Sequence, residues 1–177
     1  MRPTALVVMG VAGCGKSTVA GLLADRLGWP LGEADDWHPA ANVAAMTAGT
    51  PLSDADRAPW LLAVRDWIDA QGGDCVLTCS ALRRSYRDVL RGAGARVRFV
   101  HLDGSRDELA ARLAARTGHF MPASLLDSQL AVLEPLEADE DGVVVPITGG
   151  PLEVAGRVEE AVARQVSGSG NSWQVVG

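Results

Sequence analysis

A chain of 177 residues, 47% of them hydrophobic, is long enough to fold as one domain around a real core. Its formal charge of −6 argues against a nucleic-acid partner, since gripping a phosphate backbone takes a basic face. Cys14, Cys75 and Cys79 form no disulfide framework and read as small buried residues. No run is apolar and long enough to cross a bilayer and the N-terminus lacks a signal-peptide pattern, so no membrane partner and a cytoplasmic location are expected.

Ala5 to Met9 is a short apolar run, as expected of a buried parallel strand. The next eight residues, Gly10-Val11-Ala12-Gly13-Cys14-Gly15-Lys16-Ser17, fit G-x-x-x-x-G-K-[ST] at every position. Thr18 to Leu27 reads as an amphipathic helix with Val19, Leu22, Leu23 and Leu27 at helical spacing. Strand, glycine-rich turn and helix N-terminus together make an anion site, with free N–H groups and the positive end of the helix dipole facing phosphates. Gly10 to Thr18 is therefore the expected nucleotide-binding segment, with the Ser17 hydroxyl available to a nucleotide-borne magnesium ion. Lys16 is the only lysine among 16 basic residues. An otherwise arginine-using chain keeps, at this one position, the slim ammonium that can thread between phosphates.

Gly28 is a candidate helix C-cap, and a short second strand then ends in Glu33-Ala34-Asp35-Asp36. Pro39 to Ala48 reads as a helix closed by Gly49. Ser53 or Asp54 caps the next helix, which runs to about Ala70 with Trp60, Leu61, Val64, Trp67 and Ile68 on one face. Cys75 to Cys79 is a third strand, leading through Ser80 into a helix over Arg83–Arg91. Val97–Leu102 is a fourth strand, Arg106–Arg116 and Ala123–Leu133 are helices, Val143–Ile147 is a fifth strand, and Leu152–Val166 is a closing helix. This alternation predicts an α/β P-loop NTPase fold: a five-stranded parallel sheet, helices on both faces and a small helical lid over about 112–135. Residues 1–166 form the single domain, and 167–177 is a linker-like tail.

In an open α/β sheet, ligands sit at the carboxyl ends of the strands, and the polar clusters fall there. Glu33 and Asp35, two apart at the end of the second strand, are expected to point the same way. Asp35 is assigned as the base that takes a proton from an acceptor hydroxyl, and Glu33 to the magnesium shell through water. His38 lies on the same edge as a substrate contact, and Arg57 is a candidate clamp for an anionic substrate. Ser80 with a helix N-terminus suggests a second anion or polyol site. Arg87, one turn beyond Arg83 and Arg84, is placed among the substrate contacts. Arg112 and Arg116 are i,i+4 neighbours beside Gly118, an arrangement suited to a lid that neutralises charge on the transferring phosphoryl group.

Taken together, these segments resemble the gluconate kinase (gluconokinase) family, small P-loop kinases related to the shikimate and nucleoside-monophosphate kinases. The resemblance covers about Leu6 to Val166. Its markers are the Met9–Thr18 loop, Asp35-Asp36-Trp37-His38-Pro39, Asn42, Met46, Gly49, Pro51-Leu52, Asp54, Asp56-Arg57 and Pro59-Trp60-Leu61. They continue with Cys79-Ser80-Ala81-Leu82, Tyr86-Arg87-Asp88, Arg116-Thr117-Gly118-His119-Phe120-Met121 and Gln129. The resemblance implies ATP- and Mg2+-dependent phosphorylation of the 6-hydroxyl of D-gluconate, Arg116 on a lid, and a homodimer. An open-chain sugar acid would meet an arginine with its carboxylate and Asp35, His38, Ser80, His119 and Gln129 with its hydroxyls. The competing readings are a kinase of another small hydroxy acid, such as shikimate, and a nucleotide switch. A guanine-reading N-K-x-D segment cannot exist in a chain whose only lysine is Lys16.

Overall fold

The computed structural model describes residues 2–115 and 123–167. Its elements run in the order β1 (Thr4–Met9), α1 (Lys16–Leu27), β2 (Leu31–Glu33), a 3₁₀ turn (Ala34–Trp37), α2 (Ala40–Thr47), α3 (Asp54–Gln71), β3 (Cys75–Thr78) and α4 (Arg84–Arg91). The chain continues through β4 (Arg96–Asp103), α5 (Arg106–Ala115), α6 (Ala123–Val132), β5 (Gly142–Pro146) and α7 (Pro151–Ser167). The strands form one parallel sheet in the order β2-β3-β1-β4-β5. The expected five-stranded parallel sheet with helices on both faces is present; the second strand stops at Glu33, the rest of the expected acidic end forming the 3₁₀ turn.

β1 shows how the sequence dictates the layering. Side chains alternate along a strand, so Leu6 and Val8 share one face while Ala5, Val7 and Met9 share the other. All are buried, because helices cover both faces. Leu6 and Val8 pack with Val19 and Leu23 of α1 and Val154 and Val158 of α7. Ala5, Val7 and Met9 pack with Trp60, Val64 and Ile68 of α3 and Leu90 of α4. α3 starts where Ser53 and Asp56 close a reciprocal capping box, Ser53 being the N-cap. Buried Asn42 ties α2 to this start, its Nδ2 donating to the Asp56 carbonyl at 2.8 Å.

Because every strand is parallel, their carboxyl ends lie along a single edge. That edge receives the loop after Met9, the turn after Glu33, the Cys79–Leu82 segment, Asp103 and the Ile147–Gly150 loop.

Candidate active site

The loop between β1 and α1 is a phosphate cradle. α1 starts at Lys16 behind Gly15 with no side-chain cap and no acidic residue in its first turn, so its leading N–H groups are free to face an anion. Gly13 has φ +84°, and a Cβ there would lie 2.7 Å from Leu113 Cγ of α5. Here glycine is needed both for the backbone angle and for the close approach. The Lys16 ammonium folds back over the loop and donates to the carbonyls of Gly10 (3.0 Å) and Val11 (3.1 Å). Cys14 Sγ lies 4.0 Å from that ammonium. Burial pushes the Cys14 thiol up, with Lys16 opposing in part, so it is a packed, protonated group.

Two further side chains hold this loop. Arg112 donates to the carbonyls of Ile147 and Gly149 (3.2 Å to the latter), and its Nη1 lies 3.6 Å from where a Cβ on Gly15 would stand. It therefore joins α5, the phosphate loop and the segment after β5. Gln129 accepts the Ala12 N–H through Oε1 at 2.7 Å. Its Oε1 is thus engaged with the phosphate loop, a contact the sequence did not indicate.

Glu33 closes the loop's open side. Its Oε2 accepts from Ser17 Oγ at 3.1 Å and from the Thr78 hydroxyl. Ser17 and Glu33, each expected at the magnesium ion, are thus in direct contact with one another, and Thr78 is a partner that sequence reasoning missed. The strand-parity argument for Asp35 fails, because Asp35 belongs to the 3₁₀ turn and not to β2. Its side chain is 85% exposed. Even so, the turn delivers it to the cleft. Asp35 and Lys16 both act electrostatically on the Cys79 thiol, which burial pushes up to about 12. Asp35 and Arg57 both act on His38.

His38 stacks on Trp60, with ring centroids 4.2 Å apart and planes 14° from parallel. Its Nε2 lies 3.9 Å from Asp35 Oδ1, and its buried Nδ1 has no partner. Burial pushes its pKa down more than Asp35 pushes it up, so the ring is neutral near pH 7. Trp60 Nε1 donates to the Ala34 carbonyl at 2.7 Å and pins the turn from below.

The anionic-substrate end gathers around Tyr86. Arg57 and Arg83 place their guanidinium carbons 5.7 Å and 5.9 Å from its ring centroid. Arg57 donates through Nη1 to the Leu52 carbonyl and, at 3.4 Å, to the Tyr86 hydroxyl. That hydroxyl donates to Asp54 at 2.5 Å, and Asp54 also holds Arg83 at 3.1 Å. Among the described residues Arg57 bonds through Nη1 alone, so most of its fork remains for an anion. Tyr86 and Asp54 carry no signal of this role in sequence beyond their place beside arginines.

Two expectations about the third strand's exit are overturned. Arg87 is not a substrate contact: it is fully buried, and Glu140 takes its Nε at 2.6 Å and its Nη2 at 3.0 Å. The N-terminus of α4 is not an open anion site beside Ser80. The helix begins four residues later at Arg84, whose N–H already donates to the Glu134 carboxylate. Ser80 itself stands partly exposed at the cleft edge, its carbonyl accepting from Gly10 N–H at 3.3 Å. Arg116 and His119, with the rest of 116–122, lie outside the described residues.

An uncapped helix N-terminus behind a lysine-bearing loop, an acid pair at its side and an arginine-lined recess across from it define a P-loop phosphotransferase. Comparison with known proteins narrows the class. A family model described as an AAA domain matches residues 6–136. A gluconokinase of Gluconobacter oxydans is 57% identical over 147 residues, covering 81% of this chain and 82% of that protein. The thermosensitive gluconokinase of Escherichia coli is 40% identical, covering 81% and 79%. A solved gluconokinase structure from Sinorhizobium meliloti superposes with a TM-score of 0.86 at 42% identity, covering 95% of this chain and 96% of that one. The chain belongs to the gluconokinase family.

Proposed function

We propose that this chain transfers the γ-phosphoryl group of ATP to the 6-hydroxyl of D-gluconate, giving 6-phospho-D-gluconate and ADP. The observation that carries the reading is the set of groups the fold supplies: a phosphate cradle ahead of α1, Asp35 beside His38 at 3.9 Å, and Arg57 with Arg83 on the ring of Tyr86. An open-chain acid with a carboxylate at one end and a primary alcohol at the other has a partner for each of them.

In this reading Lys16 exchanges the Gly10 and Val11 carbonyls for phosphate oxygens, a substitution its flexible stem permits. Asp35 accepts the proton of the attacking hydroxyl, and its exposure leaves it accessible to an incoming alcohol. Neutral His38, held flat on Trp60, offers Nε2, 3.9 Å from Asp35, to a substrate hydroxyl. Arg57 takes the carboxylate. Ser17 and Glu33 offer hard oxygen donors side by side and would hold a magnesium ion carried by the nucleotide. Bound there, magnesium would supply charge neutralisation on the phosphates.

The test is a substrate screen with ATP and magnesium against sugar acids and shikimate. It is read both as ADP release and by 6-phosphogluconate dehydrogenase coupling. Turnover of gluconate in both readouts is expected, and turnover of shikimate alone would refute the assignment.

A further inference from the structure

Arg87 and Arg98 are the two largest fully buried side chains among the described residues, and the chemistry above does not use Arg87. A buried ion pair is weak as a stability device, because desolvation offsets most of the attraction. What distinguishes this one is where its remaining bonds go. Besides Glu140, the guanidinium donates through Nη1 to the carbonyls of Ala81 (3.2 Å), Leu82 (3.3 Å) and Glu134 (3.0 Å). Nη2 reaches the Pro135 carbonyl at 3.1 Å. The fork is thus divided between the Glu140 carboxylate and two backbone segments, the one leaving β3 and the one leaving α6.

Those segments are the two arms of a closed circuit. Leaving β3, the Ser80 carbonyl accepts from Gly10 N–H of the phosphate loop at 3.3 Å. Two residues on, the Leu82 carbonyl accepts from Glu134 N–H at 2.8 Å. Glu134 follows α6, where Leu133 N–H returns to the Gln129 carbonyl at 3.0 Å. Gln129 then accepts Ala12 N–H, back in the phosphate loop, at 2.7 Å. Ala81, inside the circuit, is the one non-glycine residue at positive φ among the described residues (45°), and its carbonyl is one of those Arg87 holds. An alanine in that conformation persists only where its surroundings fix it.

We propose that Arg87, buttressed by Glu140, is a positioning residue for phosphoryl transfer. It keys this circuit, so the acceptor-side segment with Ser80 and the helix carrying Gln129 hold the phosphate loop in one geometry. The proposal rests on the phosphotransferase reading for its kinetic arm only. Arg87→Lys keeps the charge but cannot serve both the carboxylate fork and the carbonyls of two segments. It should lower kcat at least tenfold in protein that still melts above the assay temperature. Gln129→Ala should act through the same circuit, so the double variant should be no slower than the worse single one. Hydrogen exchange of the peptide spanning 8–15 should speed up in both single variants, a readout that needs no substrate. Folded Arg87→Lys with kcat and both KM values within twofold of the parent, multiplicative losses in the double variant, or unchanged exchange would each overturn the proposal. If Arg87→Lys does not fold, Glu140→Gln in the same cycle with Gln129→Ala decides on the same outcomes. A parent enzyme inactive on gluconate would sink the proposed substrate and leave the exchange result standing.

Discussion

Replacing Gly13 with alanine tests whether the phosphate loop and α5 are fitted to one another. Two costs follow from the structure. At φ +84° an alanine pays for the left-handed region, roughly 1–2 kcal/mol. Its Cβ would also stand 2.7 Å from Leu113 Cγ and 3.2 Å from the Leu109 carbonyl, and overpacking of that kind costs about 1–3 kcal/mol. Gly28→Ala is the control. It has φ +67° at the C-cap of α1 with nothing within 4 Å of its Cβ, so it carries the first cost alone. At roughly 2–4 °C per kcal/mol for a domain of this size, Gly28→Ala should lower Tm by a few degrees and Gly13→Ala by about 5–20 °C. Displacing Leu113 also shifts its neighbour Arg112, which crosses to the Ile147 and Gly149 carbonyls beside the loop. Calorimetric titration with ATP should therefore weaken in Gly13→Ala and hold in Gly28→Ala. If the two variants melt alike, or Gly13→Ala binds ATP as the parent does, the fitted-contact argument is wrong.

Three further outcomes follow. Asp35→Asn should lower kcat by about 10²–10⁴-fold, the range for a lost general base, with both KM values within a few-fold in steady-state assays; retained turnover removes Asp35 from that role. Lys16→Arg should lose most activity at unchanged charge, because a planar fork cannot take the place the ammonium holds between the Gly10 and Val11 carbonyls. His38 has its folded pKa pushed below 6.5 by burial, so below that pH the unfolded chain binds the proton more readily. Its share of stability is complete above about pH 6.5 and falls as the pH drops through the folded value. The parent's Tm should therefore fall more steeply between pH 7 and 5 than that of His38→Asn, and parallel curves would contradict the assignment.

The local features of the fold were legible because their causes are local. The continuous apolar run of Ala5–Met9, glycine before Lys16 and a cap at Ser53 or Asp54 each act within a few residues, and the elements fall where those patterns put them. The meeting of Ser17 with Glu33 was legible because parallel strands bring successive loops to one edge. Arg87 was misread for the opposite reason. In sequence, a guanidinium aimed at a substrate is indistinguishable from one aimed at buried carbonyls, and its deciding partner Glu140 lies 53 residues away. The bond from Ala12 to Gln129 was hidden likewise, since the two lie 117 residues apart. Asp35 kept its expected place beside the cleft although the reason offered for it, strand parity, was wrong. The chain leaves extended geometry at Ala34.

That last difference bears on how the acceptor half of the site works. The Asp35 carboxylate, proposed as the base, is 85% exposed on the turn after β2 and gains no rigidity from its own burial. Precision has to come from what lies under the turn, and there the chain places three of its five tryptophans. Trp60 anchors Ala34 by its indole N–H and carries His38 on its face. Trp37, at the end of the turn, stacks on Trp67 of α3 with centroids 5.1 Å apart. Both rings press on Gly32, where an added Cβ would meet them at 2.7 and 2.8 Å. Large rings with few rotatable bonds fix a turn at low entropic cost. The carboxylate thus stays open to solvent while these rings fix the turn that carries it, so accessibility and positioning are assigned to different residues.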